Sequence, residues 1–248
     1  MLAYGGGSVK RNGIYDEIRS LLEAAGMWKG PIFAVSADFS VLDPQYTKSV
    51  PPMQVLSGAF DTLSHAMETY LGNSDQDNVS DDVALAVMKN TVVNMRRLIA
   101  DINDMQARSN LMWDSAMAEN GILKCGRLTD FQAHQIEHQL GAYTDCNHGQ
   151  GLAVIHPAYY RHILNDAPEK FARFAKEVFG KDTAEEGIDA LSELIRACGL
   201  PTTMHELQSK TEITPELLRH VADTCNIIRS NPRELSREEI YTILMECM

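Results

Sequence analysis

Residues 53–72 read Met-Gln-Val-Leu-Ser-Gly-Ala-Phe-Asp-Thr-Leu-Ser-His-Ala-Met-Glu-Thr-Tyr-Leu-Gly, and they set the fold class. Apolar side chains recur at three- and four-residue spacing from Met53 to Leu71, the period of one helix face, and the run stops at Gly72. The same period continues toward the C-terminus. A second helix is expected to start near Ser80-Asp81-Asp82 and run through Val83, Val87, Val92 and Leu98, and a third to span Met105–Glu119. Thr129-Asp130-Phe131-Gln132 has the form of a capping box, as do Thr183 with Glu186 and Ser236 with Glu239. Thr214-Pro215 pairs an N-cap with a proline in the first turn.

Toward the N-terminus the pattern changes. A short apolar run, Met1 to Tyr4, leads into Gly5-Gly6-Gly7-Ser8 and then an amphipathic stretch, 15–25, with Ile18, Leu21 and Leu22 on one face. That order reads as strand, glycine turn, helix. Residues 31–35 and 39–42 read as short extended segments ending at Asp43-Pro44. The expected architecture is mainly α: a helical domain over residues 51–248, preceded by a small α/β segment over 1–50.

At 248 residues the chain is long enough for a substantial core, and its 44% hydrophobic and 23% charged content is that of a globular protein. No run approaches the roughly 20 apolar residues of a bilayer span, and no secretory leader is read at the start. A net charge of −12 argues against non-specific nucleic-acid binding. The 5 cysteines are widely spaced with no C-x-x-C pair, so reduced thiols and a cytoplasmic setting are expected.

Asp61 and His65 stand four apart, so they share one helix face, together with the small residues Gly58, Ala59 and Thr62. Taken alone, the pair also fits an ordinary surface Asp–His contact. His134 and His138 repeat the spacing, and His148 follows in Asn147-His148-Gly149-Gln150-Gly151, where glycines let the backbone approach a bound group. Five such groups in helices are hard to explain as packing, since each is costly to bury unpaired and a cation would satisfy several at once. Imidazoles with a carboxylate suit Fe(II) or Zn(II). Cys146 is an alternative soft ligand or a small buried residue. His134-Gln135-Ile136-Glu137-His138 also matches H-x-x-E-H, a zinc-hydrolase pattern that leaves Asp61, His65 and His148 without roles. His156, His162, His205 and His220 read as ordinary surface or core residues.

Leu42-Asp43-Pro44-Gln45-Tyr46-Thr47, Val50-Pro51-Pro52 and Gly58-Ala59-Phe60-Asp61-Thr62-Leu63-Ser64-His65 resemble the signature of the iron-containing alcohol dehydrogenases, in their butanol-dehydrogenase-like branch. So do His134-x-x-x-His138-x-Leu140-Gly141 and His148-Gly149-Gln150-Gly151-Leu152-Ala153. The resemblance covers residues 31–248 and implies a helical domain of the dehydroquinate synthase-like type, with metal ligands at Asp61, His65, His134 and His148. It makes His138 a catalytic neighbour of the metal and a proton relay. It implies hydride exchange between a small primary alcohol or aldehyde and NAD(P)(H), no membrane or nucleic-acid partner, and possible homodimers.

Residues 1–26 resemble a different part of the family, the early strand, glycine turn and helix of its nucleotide-binding domain. By that resemblance Gly5, Gly6, Gly7 and Ser8 leave space, and Lys10 or Arg11 could meet a 2′-phosphate, which points to NADP over NAD. The family's strands between this piece and the Leu-Asp-Pro motif are absent, with the glycine turn that cradles the pyrophosphate. A metal-binding remnant without a working cofactor site is the alternative this departure raises.

Overall fold

The computed structural model describes Ser20, residues 41–72 and residues 78–248. The chain divides into two compact units, Met1–Ser49 and Val50–Met248. In the first, Pro44–Thr47 forms a 3-10 turn in which the Asp43 carboxylate accepts from Gln45 N at 2.9 Å. The glycine turn at 5–8, Lys10, the 31–35 segment and, apart from helical Ser20, the 15–25 helix lie outside the described residues.

The second unit is helical, and among the described residues there is no strand. Its helices are α1 Pro52–Leu71, α2 Val79–Ala100, α3 Met105–Glu119, α4 Gln132–Thr144, α5 His148–Ile163, α6 Pro168–Phe174, α7 Ala184–Ala197, α8 Pro215–Thr224 and α9 Arg237–Glu246. On α1 the residues Leu56, Phe60, Leu63, Met67 and Tyr70, spaced by three and four, are all buried. That face packs against α2, α3 and α5, while α5 also packs on α4, α7 and α9. Helices α1 and α5 therefore form the centre of the domain, and both are rooted in core on most sides. Trp113 and Leu128 are exposed apolar side chains on this unit. Among the described residues no helix is long and apolar enough to cross a membrane.

The boundaries of α3, the boxes at Thr183/Glu186 and Ser236/Glu239, and the Thr214 cap stand as read from sequence. Three local readings change. First, α2 begins one residue early, because Asn78 is its cap: Asn78 Oδ1 accepts from Ser80 N, and Asn78 N donates to Asp81 Oδ2. Second, α1 stops at Gly72 as expected, but not for the backbone freedom of glycine, since its φ of −64° is not left-handed. It is needed for space, since a Cβ there would lie 2.1 Å from the Leu128 carbonyl oxygen.

Third, the Thr129 capping box does not form. Helix α4 starts at Gln132, and its free donors go elsewhere: Gln132 N to Asp130 Oδ1, two residues back, at 3.0 Å, and Ala133 N to a tertiary partner, Glu68 Oε1 of α1, at 2.7 Å. The Gln132 side chain, which would have closed the box, instead donates to the Asn226 carbonyl and accepts from Ile228 N. A buried carboxylate from a packed helix is a stronger cap than a threonine hydroxyl, so the local motif loses.

Candidate metal centre

Helices α1, α4 and α5 converge at one end of their shared contact. Asp61 and His65 lie one turn apart on α1, His134 lies in the first turn of α4, and His148 is the first residue of α5. Around Asp61 Oδ1 stand His148 Nε2 at 3.4 Å, His65 Nε2 at 3.5 Å and His134 Nε2 at 3.6 Å. His134 Nε2 and His65 Nε2 are 3.2 Å apart. Donors bound at about 2.0–2.2 Å to one tetrahedral cation stand roughly 3.3–3.6 Å from each other. Asp61, His134 and His148 bring donor atoms within 4.8 Å of one another, as one ion needs, and His65 adjoins them through Asp61 and His134. Asp61 Oδ1 is buried and accepts no hydrogen bond. Such an oxygen is expensive unless something positive sits against it.

The other nitrogen of each imidazole faces a carboxylate. His134 Nδ1 contacts Glu68, His148 Nδ1 contacts Glu137, and His65 Nδ1 lies against Glu119. In His134 and His148 a proton drawn to Nδ1 leaves the Nε2 lone pair pointing inward, the arrangement that orients histidines toward a metal, whereas the His65–Glu119 contact is not a hydrogen bond. Glu68 and Glu137 are buried and Glu119 is exposed. Glu68 is fixed further by Ala133 N, so one side chain of α1 both caps α4 and orients its histidine.

The electrostatics favour positive charge at this point. Burial opposes protonation of His134, but Glu68 and Asp61 outweigh it and push its pKa up to about 9. For His148, burial is likewise overcome by Asp61 and Glu137, to about 10. Burial would raise the Asp61 carboxyl, yet the three imidazoles hold it well below the usual carboxylate range. Without a cation His134 and His148 take up protons; a divalent ion would answer the same carboxylates by displacing them.

His138 lies beside this group. It is exposed, its ring stacks on His148 at 5.2 Å, and it stands nearly perpendicular to His134. Burial of its inner part and the neighbouring His148 lower its pKa. Glu137, His138 and His148 do place donor atoms within 4.8 Å of one another, but Glu137 is engaged with His148 Nδ1. The zinc-hydrolase pairing of His134 with His138 would require both rings to turn to one point, and His134 turns instead to Asp61. The Cys146 thiol points to Glu137 Oε1 at 3.9 Å and stays outside the convergent set. Of the other histidines, His156 is fully buried and lies 3.9 Å from Glu68 through Nε2, His162 pairs with Glu239, and His205 and His220 are exposed.

Sequence reading overlooked Glu68 and Glu119, and gave Glu137 only the role of a hydrolase base. Glu68 had a signal: Asp61, His65 and Glu68 fall at i, i+4 and i+7, one face of one helix. Glu119, at the far end of α3, had none. The glycines after His148 also act differently from expectation. They belong to the first turn of α5, where a Cβ on Gly149 would lie 2.2 Å from the Ser57 carbonyl oxygen and one on Gly151 2.7 Å from Glu137 Oε1. They admit neighbouring helices.

The chain matches the model of the Fe-containing alcohol dehydrogenase family, C-terminal, over residues 55–248. It is 36% identical over 177 residues to NADH-dependent butanol dehydrogenase A of Clostridium acetobutylicum, covering 68% of this chain and 46% of that protein. It is 27% identical to the NADPH-dependent aldehyde reductase YqhD of Escherichia coli, covering 75% of this chain and 49% of that one. The crystal structure of NADH-dependent butanol dehydrogenase A from Thermotoga maritima superposes with a TM-score of 0.75 at 28% identity, over 83% of this chain and 55% of that one. The chain thus spans about half the length of the relatives it matches.

Proposed function

The chain belongs to the Fe-containing alcohol dehydrogenase family, and from that premise we propose that it holds one divalent cation on Asp61, His65, His134 and His148 and interconverts a small primary alcohol and its aldehyde with NAD(P)(H). The observation that carries the reading is the buried Asp61 Oδ1, without a hydrogen bond, facing three Nε2 atoms whose rings are each backed by a carboxylate. The donor set suits Fe(II) or Zn(II). Bound there, the cation supplies Lewis acidity toward the alcohol or carbonyl oxygen.

A nicotinamide cofactor, when bound, would supply the hydride acceptor for alcohol oxidation, while the alcohol hydroxyl would give up its proton. This chain's residues do the rest. Glu68 and Glu137 fix the His134 and His148 rings. His138 stands at the exposed side, and its lowered pKa keeps it neutral near pH 7, able to accept the hydroxyl proton on an imidazole nitrogen and pass it to water. The NADP preference assigned to Gly5, Gly6, Gly7, Ser8 and Lys10 belongs to the proposal, as do a cytoplasmic location and homodimer formation. The named relatives divide between NADH and NADPH.

One observation favours a second reading, a cation-binding domain that turns over no alcohol: the chain spans about half the length of the relatives it matches. Two measurements separate the readings. Metal analysis after loading with Fe(II) or Zn(II) should give one ion per chain, lost in Asp61→Ala and His148→Ala. Butanol oxidation and butanal reduction should then be followed by nicotinamide absorbance. One ion with no turnover and no NAD(P)H binding at millimolar cofactor selects the second reading, and an empty wild-type chain overturns both.

A further inference from the structure

Phe131 stands in a conformation that bulky residues rarely adopt. Its φ of 60° and ψ of 18° are left-handed, and the only other non-glycine residue with positive φ among those described is Asp145, at the other end of α4. Aspartate tolerates that region and commonly ends helices in it; a phenylalanine there is an outlier that persists only where its surroundings over-determine it. They do so here. On one side Asp130 N donates to the Glu68 carbonyl at 3.0 Å, and Tyr159 Oη donates to the Asp130 carboxylate. On the other, Gln132 and Ala133 are tied to Asn226, Ile228 and Glu68.

The strain places an aromatic ring against the candidate metal centre. The Phe131 ring lies 5.0 Å from the His134 ring and 5.4 Å from the His65 ring, and Lys124 Nζ stands 4.9 Å from its centroid. The centre is correspondingly lopsided. The side chains of His134 and His65, beside Phe131, are 2% and 18% exposed, whereas that of His148, across the cluster, is 37% exposed.

We propose that Phe131 is a positioning residue for the cation: its strained backbone holds the ring over the His65–His134 edge, shuts water out there, and makes the ion leave slowly, by the His148 side. An apolar wall beside a metal controls solvent access to its bonds, and that is the task this ring is placed to do. The inference rests on the cation site proposed above, and it adds that site's exchange route.

The test loads wild type, Phe131→Gly, Phe131→Ala and Phe131→Trp with Co(II), measures chelator-driven release, and records the visible Co(II) spectrum and melting temperature. Glycine accepts φ 60° freely and alanine does not, so Phe131→Gly should melt above Phe131→Ala. Both should nonetheless release cobalt faster than wild type, by about 10-fold, and show the weaker absorption of a more hydrated ion. Phe131→Trp, which restores an aromatic wall, should restore slow release. Wild-type release in both truncations overturns the proposal, and so does release that merely follows melting temperature, fast in alanine and slow in glycine. A wild-type chain that takes up no cobalt fails at the earlier step and overturns the site itself.

Discussion

Gly149→Ala tests whether helix packing sets the metal geometry. Gly149 follows His148 directly, and a Cβ there would lie 2.2 Å from Ser57 O and 2.7 Å from Ser57 C, both backbone atoms of α1. Non-bonded carbon contacts settle near 3.5–4.0 Å, so the start of α5 must withdraw by roughly 1 Å. His148 Nε2, now 3.4 Å from Asp61 Oδ1, would move with it. Metal sites tolerate ligand displacements of about 0.2 Å, so His148 should drop out of the donor set. Cation affinity is expected to fall about 100-fold, the upper end of the loss on removing a metal site's supporting partner. Overpacking should cost about 1–3 kcal/mol, offset by about 1 kcal/mol of helix propensity.

The assay is competition for Zn(II) against a chromophoric chelator, with thermal melts in EDTA so that binding does not mask fold stability. Gly58→Ala is the control on α1. A Cβ there meets nothing within 4 Å, so affinity should hold and stability should rise by about 0.5–1 kcal/mol. If Gly149→Ala binds zinc like wild type, the close approach of α5 to α1 does not position His148.

Glu68→Gln and Glu137→Gln should each weaken zinc binding by about 10–100-fold while the chain stays folded, and unaltered affinity would remove their orienting role. Cation uptake should release protons. His134 and His148, raised to about 9 and about 10 without metal, are protonated at pH 7, so apparent affinity climbs with pH until about 10. Calorimetry in two buffers of different ionisation enthalpy checks this, and zero protons released refutes it. Fully buried His156 titrates in the folded chain at about 4, against an ordinary 6.5, because burial disfavours its charge. The unfolded chain therefore takes up that proton first, and as pH falls from 6.5 toward 4 about 3 kcal/mol of stability should be lost. His156→Leu should flatten this part of an acid-denaturation profile, and an identical profile would show that His156 is not the group responsible.

Much of this protein is determined locally and could be read from the chain. Periodicity placed α3 at about its observed span, and the boxes at Thr183/Glu186 and Ser236/Glu239 formed as written, because each is satisfied within one helical turn. The i, i+4 spacing put Asp61 and His65 on one face for the same reason. What needed the tertiary structure were partners far apart in sequence. Glu68 accepts from Ala133 N, 65 residues away, and displaces the Thr129 cap that the local sequence offered. Gly149 and Gly151 look like a loop in sequence, yet they are the points where α5 closes on α1 and on Glu137. Phe131 carries no sign of its left-handed backbone, since no glycine or asparagine marks the place and the strain is imposed from both sides by buried contacts. Short-range hydrogen bonds compete within a few residues and leave a pattern in the sequence; the convergence of Asp61 with three imidazoles is settled by how closely three helices can pack.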